Sequence, residues 1–478
     1  MLPRRKSTGK LRPVHLAAVI FLTVSGGPYG LEELFGYVGN QGALLLLLIT
    51  PLLWDVPTIL TVLELNSLMP TTGGYYQWVK RALGIRWAFF EGWWTWLYTF
   101  CDLAIYPVIF VTYASFFIPE IAHYKVLVCL AIIWSSALLN ILGILPVGRV
   151  SSVLSIFILI PFCFLFGMAF WHPGAPIHAP GFPPDFWHPV LSDHLRPSDL
   201  GAGPTSARSA STGFSNLGLG LYVVMWNFLG WDNATTYAEE VQRPIRSYFI
   251  SVCIAFLITI GIYLLAALAV TRSGIAVDAI GIDNGGWPVL GVLLGGHWLG
   301  ILVASGGMAS AIGLYSAVLL SVSRVPQVMA EDQLLPTFLC SLHPRFRTPY
   351  VSILASSVIV SILILFTFSD LIIMDIILYG AGLSLEFIAL VTLRRKEPAA
   401  RRPFRIPLGR AGLILLYLLP LTIYVVALTG ALLSTKKDGP FWTAEKLDPI
   451  LLAFGMLLSA AIAWRFIRWR RPHLAQPR

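Results

Sequence analysis

Apolar residues run through this chain in long unbroken stretches, not in the alternating or 3.6-residue patterns of half-buried soluble elements. Twelve stretches approach or exceed the roughly 20 residues that an α-helix needs to cross a hydrocarbon core. They cover 14–38, 42–66, 88–116, 126–143, 150–171, 214–238, 248–271, 298–322, 350–367, 371–393, 411–434 and 450–466. The first follows Arg4, Arg5 and Lys6 like the apolar region of a signal peptide. No small-residue cleavage pattern follows it and apolar stretches continue along the chain, so it is read as a span. The pattern predicts an all-α membrane protein with twelve transmembrane helices.

Two of these stretches are interrupted. Ser25-Gly26-Gly27-Pro28-Tyr29-Gly30 breaks the first, where Pro28 lacks a donor and three glycines lower the steric cost of unwinding. Trp226-Asn227-Phe228-Leu229-Gly230-Trp231-Asp232-Asn233 breaks the sixth with polar groups in mid-membrane. Each break opens a block of five spans, and an odd number per block makes the second copy enter from the opposite face. The expectation is a five-plus-five inverted repeat with discontinuous helices 1 and 6 meeting near the bilayer midplane. Unwound half-helix ends there offer N–H groups to a carboxylate and carbonyls to a cation. The plainer alternative is that Gly and Pro kink packed helices. The chain divides into a basic N-terminus (1–13), a first five-helix repeat (14–171), an outer loop (172–213), a second repeat (214–393) and a basic loop, two further helices and tail (394–478).

Composition and charge then set the topology. Only 12% of residues are charged, about half the soluble norm, and 56% are hydrophobic. Such a chain fits neither a disordered, a disulfide-stapled nor a nucleic-acid-binding protein. Of 33 Lys and Arg, 25 fall on the N-terminal side of the spans and 7 on the other, leaving only Arg465 inside a span, near the end of the last. The bias puts both termini in the cytoplasm of a plasma (inner) membrane, and it accounts for the net charge of +9 without a polyanionic ligand. Five scattered cysteines, Cys101, Cys129, Cys163, Cys253 and Cys340, read as buried free thiols. His172, His178, His188 and His194 of the outer loop are too irregularly spaced to predict a metal site, and no cofactor is expected.

The segment Val24-Ser25-Gly26-Gly27-Pro28-Tyr29-Gly30-Leu31-Glu32 resembles the first-helix motif of the amino acid–polyamine–organocation (APC) superfamily, closest to its polyamine and L-type amino acid permeases. In order along the chain, Met69-Pro70-Thr71-Thr72-Gly73-Gly74-Tyr75-Tyr76, Glu91-Gly92-Trp93-Trp94, Trp231-Asp232 with Glu239-Glu240-Val241, Met329-Ala330-Glu331-Asp332 and Leu385-Glu386-Phe387 extend the likeness. The resemblance implies a LeuT-like permease working by alternating access. It implies that N–H groups around Ser25, Gly26 and Gly27, with Gly30, bind a substrate carboxylate. Around Trp226, Asn227, Leu229 and Gly230, carbonyls would meet the amine, with Trp226 as outer gate. Two departures stand out: the fifth span has no Lys at 150–170, where several members carry one, and Val318 occupies the eighth-span position of a polyamine-branch acid.

Ionisable groups at bilayer depth are expensive and mark function by default. Asp102 is the leading partner for a substrate ammonium, against a buried protonated acid bonded to a neighbouring helix. Asp232 either binds substrate or caps the half-helix starting at Asn233. Asp55 reads as a structural group for carbonyls freed by Pro57. Glu32, Glu33 and Asp102 are the candidate carriers of a coupling proton, though Glu32 and Glu33 equally suit an outer aqueous face. Glu64, Glu91, Glu239 and Glu240 read as structural or gating acids near the cytoplasmic ends. Ser305-Gly306-Gly307 and Ala309-Ser310 read as close helix packing before a sodium site. Trp93, Trp94, Trp96 and Tyr98 read as interfacial or packing aromatics.

The leading function is thus proton-coupled secondary uptake of an amino acid or related amine, ranked above a polyamine because the eighth-span acid is missing. The rivals are a transporter-like nutrient sensor and an intramembrane enzyme. No phosphate loop, zinc motif or nucleophile–base set in a fitting context points to an enzyme.

Overall fold

The computed structural model describes residues 10–171, 211–273, 286–434 and 449–471. The described residues are helical, with two isolated β-bridges, Leu11 to Val241 and Thr72 to Tyr237. The loop histidines and the basic residues before Lys10 lie outside the described residues. Nine helices among the described residues are long and apolar enough to cross a membrane, and Pro13–Val24, Gly286–Gly295 and Tyr350–Leu363 are shorter apolar ones.

Helix α1 (Pro13–Val24) ends at the glycine break, and α2 (Glu32–Thr50) resumes beyond it. Within α2, Gly39 at φ 68° turns the chain, so the first and second predicted spans share one helical assignment. A π-turn (Pro51–Asp55), where Pro51 supplies no donor, leads into α3 (Val56–Leu68). There follow α4 (Gly74–Leu83), α5 (Ile85–Ala114), α6 (Lys125–Ile141) and α7 (Ile144–Trp171). Helix α8 (Ser211–Asn227) stops at the second break. Beyond it stand two 3₁₀ turns, Asn233–Thr236 and Ala238–Glu240, where the sequence predicted a second α-helical half. Then come α9 (Pro244–Ser273), α10 (Gly286–Gly295), α11 (His297–Val322), α12 (Arg324–Glu331), α13 (Tyr350–Leu363), α14 (Phe368–Lys396), α15 (Arg410–Ser434) and α16 (Pro449–Arg470).

Helix α5 is the central strut, packed along α11 and α14, while α1 lies on α9 and α7, and α8 on α2 and α15. Small residues permit this. A Cβ at Gly307 would stand 2.4 Å from the Tyr113 ring, and one at Gly306 2.2 Å from the Tyr29 hydroxyl. The small-residue run on α11 therefore seats two tyrosines, as the packing reading expects.

Two of the cysteines sit differently from expectation, whereas Glu64 takes the structural role read for it. Arg465 lies within α16, where the bounds of the last predicted span place it. Cys163 and Cys253 are exposed, on helix faces where lipid contact replaces burial in protein. Tyr98 faces the interior, donating to Asn233 Oδ1 at 3.0 Å, whereas Trp93 and Trp94 donate to Ser459 Oγ and the Leu457 carbonyl on α16. Glu64 is buried in a cluster with two arginines. It accepts from Arg394 Nε at 2.7 Å and the Ile406 N–H at 2.9 Å, and Arg402 Nε lies 3.5 Å away.

The Glu64 cluster joins α3, α14 and the 402–406 segment. Removing one partner of a buried pair leaves the other charge uncompensated, at a cost of about 3–5 kcal/mol. Glu64→Gln is expected to lower unfolding stability on that scale in a thermal melt of the detergent-solubilised protein. A loss below about 1 kcal/mol would reduce the cluster to an ordinary surface pair.

Candidate functional site

The two breaks meet. Ser25 with Thr23 and Val24 from the first, and Trp226, Asn227 and Leu229 from the second, line one small internal cavity together with Asp102, Tyr106 and Leu314. The non-atom space there amounts to about 230 Å³. Five residues nominated from sequence, Ser25, Asp102, Trp226, Asn227 and Leu229, are thus brought together by three helices far apart in the chain.

At the first break Gly26, Gly27 and Gly30 have φ of 60°, 93° and 95°, the left-handed region that only glycine adopts readily. Their donors are already used. The N–H groups of Ser25 and Gly26 donate to the Phe21 carbonyl at 2.8 and 3.1 Å. Gly27 N–H donates to Ser25 Oγ at 3.1 Å, and Gly30 N–H to Glu32 Oε2 at 2.7 Å. Two of the freed carbonyls are met as well: Gly26 accepts from Ser310 Oγ at 2.5 Å and Pro28 from Trp287 Nε1 at 2.8 Å. In this arrangement the glycines position the chain, and the expected carboxylate receptor is closed on itself.

Glu32 is the clasp of that turn. Its carboxyl is 1% exposed and accepts from the Tyr113 hydroxyl and the Gly30 N–H, with the Trp287 N–H at 3.5 Å. This corrects the aqueous placement considered for Glu32. Glu33 is half-buried next to it.

Asp102 is the acid of the cavity. Its Oδ1 accepts from the Tyr106 hydroxyl at 2.5 Å and from Trp226 Nε1 at 3.2 Å. The Trp226 ring lies over the break, where a Cβ on Gly30 would stand 2.7 Å from it, and packs edge-on against Phe368 at 5.6 Å between centroids. One indole thus joins the first break, α5, α8 and α14. The carbonyls at the second break are partly engaged: Trp226 accepts from Leu229 N–H at 3.2 Å and Asn227 from the Tyr263 hydroxyl at 2.8 Å.

Asp232 stands apart from the cavity. It makes no side-chain cap on the turn that begins at Asn233, and Oδ1 accepts from the Tyr379 hydroxyl at 2.9 Å. The capping role does not describe it; it belongs to a deeper polar layer with Glu91 and Glu386, both 1% exposed. Glu91 is therefore buried in the protein interior. Gly230, at φ 97°, serves the turn, since a Cβ there would meet Asn233 Nδ2 at 2.9 Å. Asp55 accepts from Trp231 Nε1 at 2.9 Å, a side-chain partner in place of the carbonyls freed by Pro57.

Below this layer the chain is closed by cross-links. Leu11 N–H donates to the Glu240 carbonyl at 3.0 Å, Gly73 N–H to the Thr236 carbonyl at 2.8 Å, and Arg324 pairs with Glu240 at 3.2 Å. Lys80 Nζ and the Tyr76 hydroxyl both donate to Asp332 Oδ2, at 2.5 and 2.6 Å. On α4, burial and the neighbouring Asp332 charge hold the Tyr76 phenol well above its ordinary pKa. Among the described residues no group of three His, Cys, Asp or Glu is arranged to hold a metal ion.

Sequence reasoning missed two acids. Asp375 is fully buried in α14, and Glu386 was noticed only as part of a motif. The rule that singled out Asp102 applies equally to both.

Comparison with known proteins bears on what such a cavity serves. Residues 13–454 match the family described as amino acid permease. The polyamine transporter PUT1 of Oryza sativa subsp. japonica is 31% identical over 98% of this chain and 81% of its own. The polyamine transporter RMV1 of Arabidopsis thaliana is 31% identical over 86% and 78%, respectively. The serine/threonine exchanger SteT of Bacillus subtilis (strain 168) is 23% identical over 73% and 74%.

The contact between Gly30 and Trp226 predicts a local sensitivity. Gly30→Ala introduces left-handed strain and a clash with the indole, and is expected to cost about 1–3 kcal/mol in thermal unfolding. Gly36→Ala, a helical position with open space around it, is the control expected to be neutral or stabilising. Equal effects of the two would remove the role given to the break.

Proposed function

The chain belongs to the amino acid permease family, and from that premise we propose that it is a secondary transporter of small organic amines, polyamines foremost, working by alternating access. One observation carries the amine assignment. The acid among the cavity-lining residues is Asp102, while the break N–H groups suited to a substrate carboxylate donate within the chain. A site with a carboxylate and no free anion receptor favours a cation. The relatives named polyamine transporters support the same direction. This reverses the ranking drawn from sequence, where the absence of an acid at Val318 favoured an amino acid. The family description and the exchanger relative keep an amino acid as the second reading.

The finer architecture belongs to the same reading. Twelve crossings result if α1 with the start of α2, and α8 with its following turns, each count as one discontinuous crossing. The inverted repeat would place these two at equivalent positions. Trp226 is the outer gate, because its ring covers the cavity and touches the elements around it. The Lys/Arg bias supports a plasma-membrane orientation with cytoplasmic termini. Coupling to protons is part of the proposal, with Asp102 the carrier that faces the cavity and Glu33 half-buried on α2, since Glu32 is committed to the break.

Uptake into proteoliposomes tests the whole reading. Labelled putrescine and spermidine are expected to enter, faster under an inward proton gradient, and serine or leucine to enter poorly. Asp102→Asn is expected to reduce putrescine uptake at low concentration by about tenfold or more, the scale of a lost charge-assisted hydrogen bond. Amino acid uptake without amine uptake would install the second reading. Binding without flux would make the protein a sensor.

A further inference from the structure

Helices α5 and α14 run antiparallel in register. The Tyr98 and Tyr379 rings meet edge-on at 5.2 Å between centroids. One turn away, a Cβ at Gly382 would stand 3.2 Å from Glu91 Oε1 and 3.5 Å from Thr95 Oγ1. Toward the other end, Trp226 ties Asp102 of α5 to Phe368 of α14. As numbers rise along α5 they fall along α14, so Asp102 is level with Asp375 and Glu91 with Glu386. Each set shares a helix face, because Glu91, Tyr98 and Asp102 are spaced by seven and four, and Asp375, Tyr379 and Glu386 by four and seven.

Four acids therefore stand in two layers on one seam, and the lower layer includes Asp232. Asp375 is 0% exposed, and among the described residues neither of its carboxyl oxygens has a hydrogen-bond partner. One oxygen each of Glu91 and Glu386, and the buried hydroxyl of Tyr75, are also without a partner. Asp375 lies close enough to Asp102, and Tyr75 to the lower acids, for their charges to interact. Buried polar atoms left unsatisfied at this density are costly, and in a folded chain they call for an explanation. Packing offers none, since an apolar side chain would fit the same space without the cost.

Resting on the amine reading above, we propose that the α5–α14 seam holds two stacked anionic stations, Asp102 with Asp375 and Glu91 with Glu386 and Asp232, that take successive ammonium groups of one linear polyamine. The eleven residues between layers give a separation of about 16 Å along the helices. An extended tetraamine such as spermine spans about 16 Å between terminal nitrogens, and putrescine about 6 Å, from ordinary single-bond lengths. A long polyamine reaches both stations; a diamine occupies one at a time. The acid lacking at Val318 is supplied here from α14.

Ligand-induced thermal stabilisation of the full-length protein in detergent, titrated with putrescine, spermidine and spermine, tests this. Affinity is expected to rise with the number of nitrogens. Asp375→Asn is expected to weaken all three amines tenfold or more. Glu386→Gln is expected to lower spermine affinity at least tenfold relative to putrescine. Both variants without ligand are expected to melt no lower than the native chain, since neutral amides replace unpaired acids. If Glu386→Gln does not fold, Glu91→Gln carries the same expectation. An unchanged spermine-to-putrescine ratio, or an Asp375→Asn with native affinities, overturns the two stations and leaves the amine reading standing. A native protein that binds none of the three amines overturns that reading itself.

Discussion

Backbone that leaves helical form at bilayer depth has no water to bond with, so each freed N–H and C=O must find a partner in the protein. The break between α1 and α2 meets that requirement through Glu32, Ser310 and Trp287, from α2, α11 and α10. Tyr113 of α5 adds its hydroxyl to the same carboxyl. Four elements are thereby held around one unwound turn. The glycines of α11 follow from this, because Tyr29 and Tyr113 can reach the break only where a neighbouring helix has no side chain. So does the place of the cavity, which forms where two such interruptions face each other.

The second constraint is the distribution of charge. Basic residues gather at the ends of the helices, and where one is buried, as Arg394 is, it meets Glu64. Among the described residues the interior acids have no such partner. Asp102, Asp375, Glu91, Glu386 and Asp232 are surrounded by tyrosine hydroxyls, amides and one another. Tyrosines are suited to that role, since a phenol donates to a carboxylate without neutralising it. On the amine reading proposed above, this interior suits a cation, and that asymmetry bears on the choice between an amine and a carboxylate more directly than the glycine motif does. The glycine motif serves chain geometry under either reading.

How far the sequence could be read depended on the range of the interaction involved. Helix positions came through almost unchanged, for example 126–143 against Lys125–Ile141 and 411–434 against Arg410–Ser434. A twenty-residue apolar run and a Gly-Pro interruption are local facts. The site was legible in part: Ser25, Asp102, Trp226, Asn227 and Leu229 converge, but the backbone donors around Gly26 and Gly27 do not face the cavity unoccupied. Asp55, Asp232 and Glu32 were recognised as unusual, but their side-chain partners were not foreseen. Their true partners, Trp231, Tyr379 and Tyr113, lie from 81 to 176 residues away.

The sequence by itself determined the class of the molecule, its helices, its two breaks and the excess of acids over bases at depth. All of these follow from the cost of exposing polar groups to hydrocarbon, which is paid residue by residue. Only the tertiary structure decided which acids face a cavity, which clasp backbone, and which pair across α5 and α14. That depends on the antiparallel register of two helices more than 250 residues apart, a quantity fixed by side-chain packing along the whole seam and carried by no single segment. The same register turned Asp375 from an inconspicuous residue in an apolar helix into the level partner of Asp102.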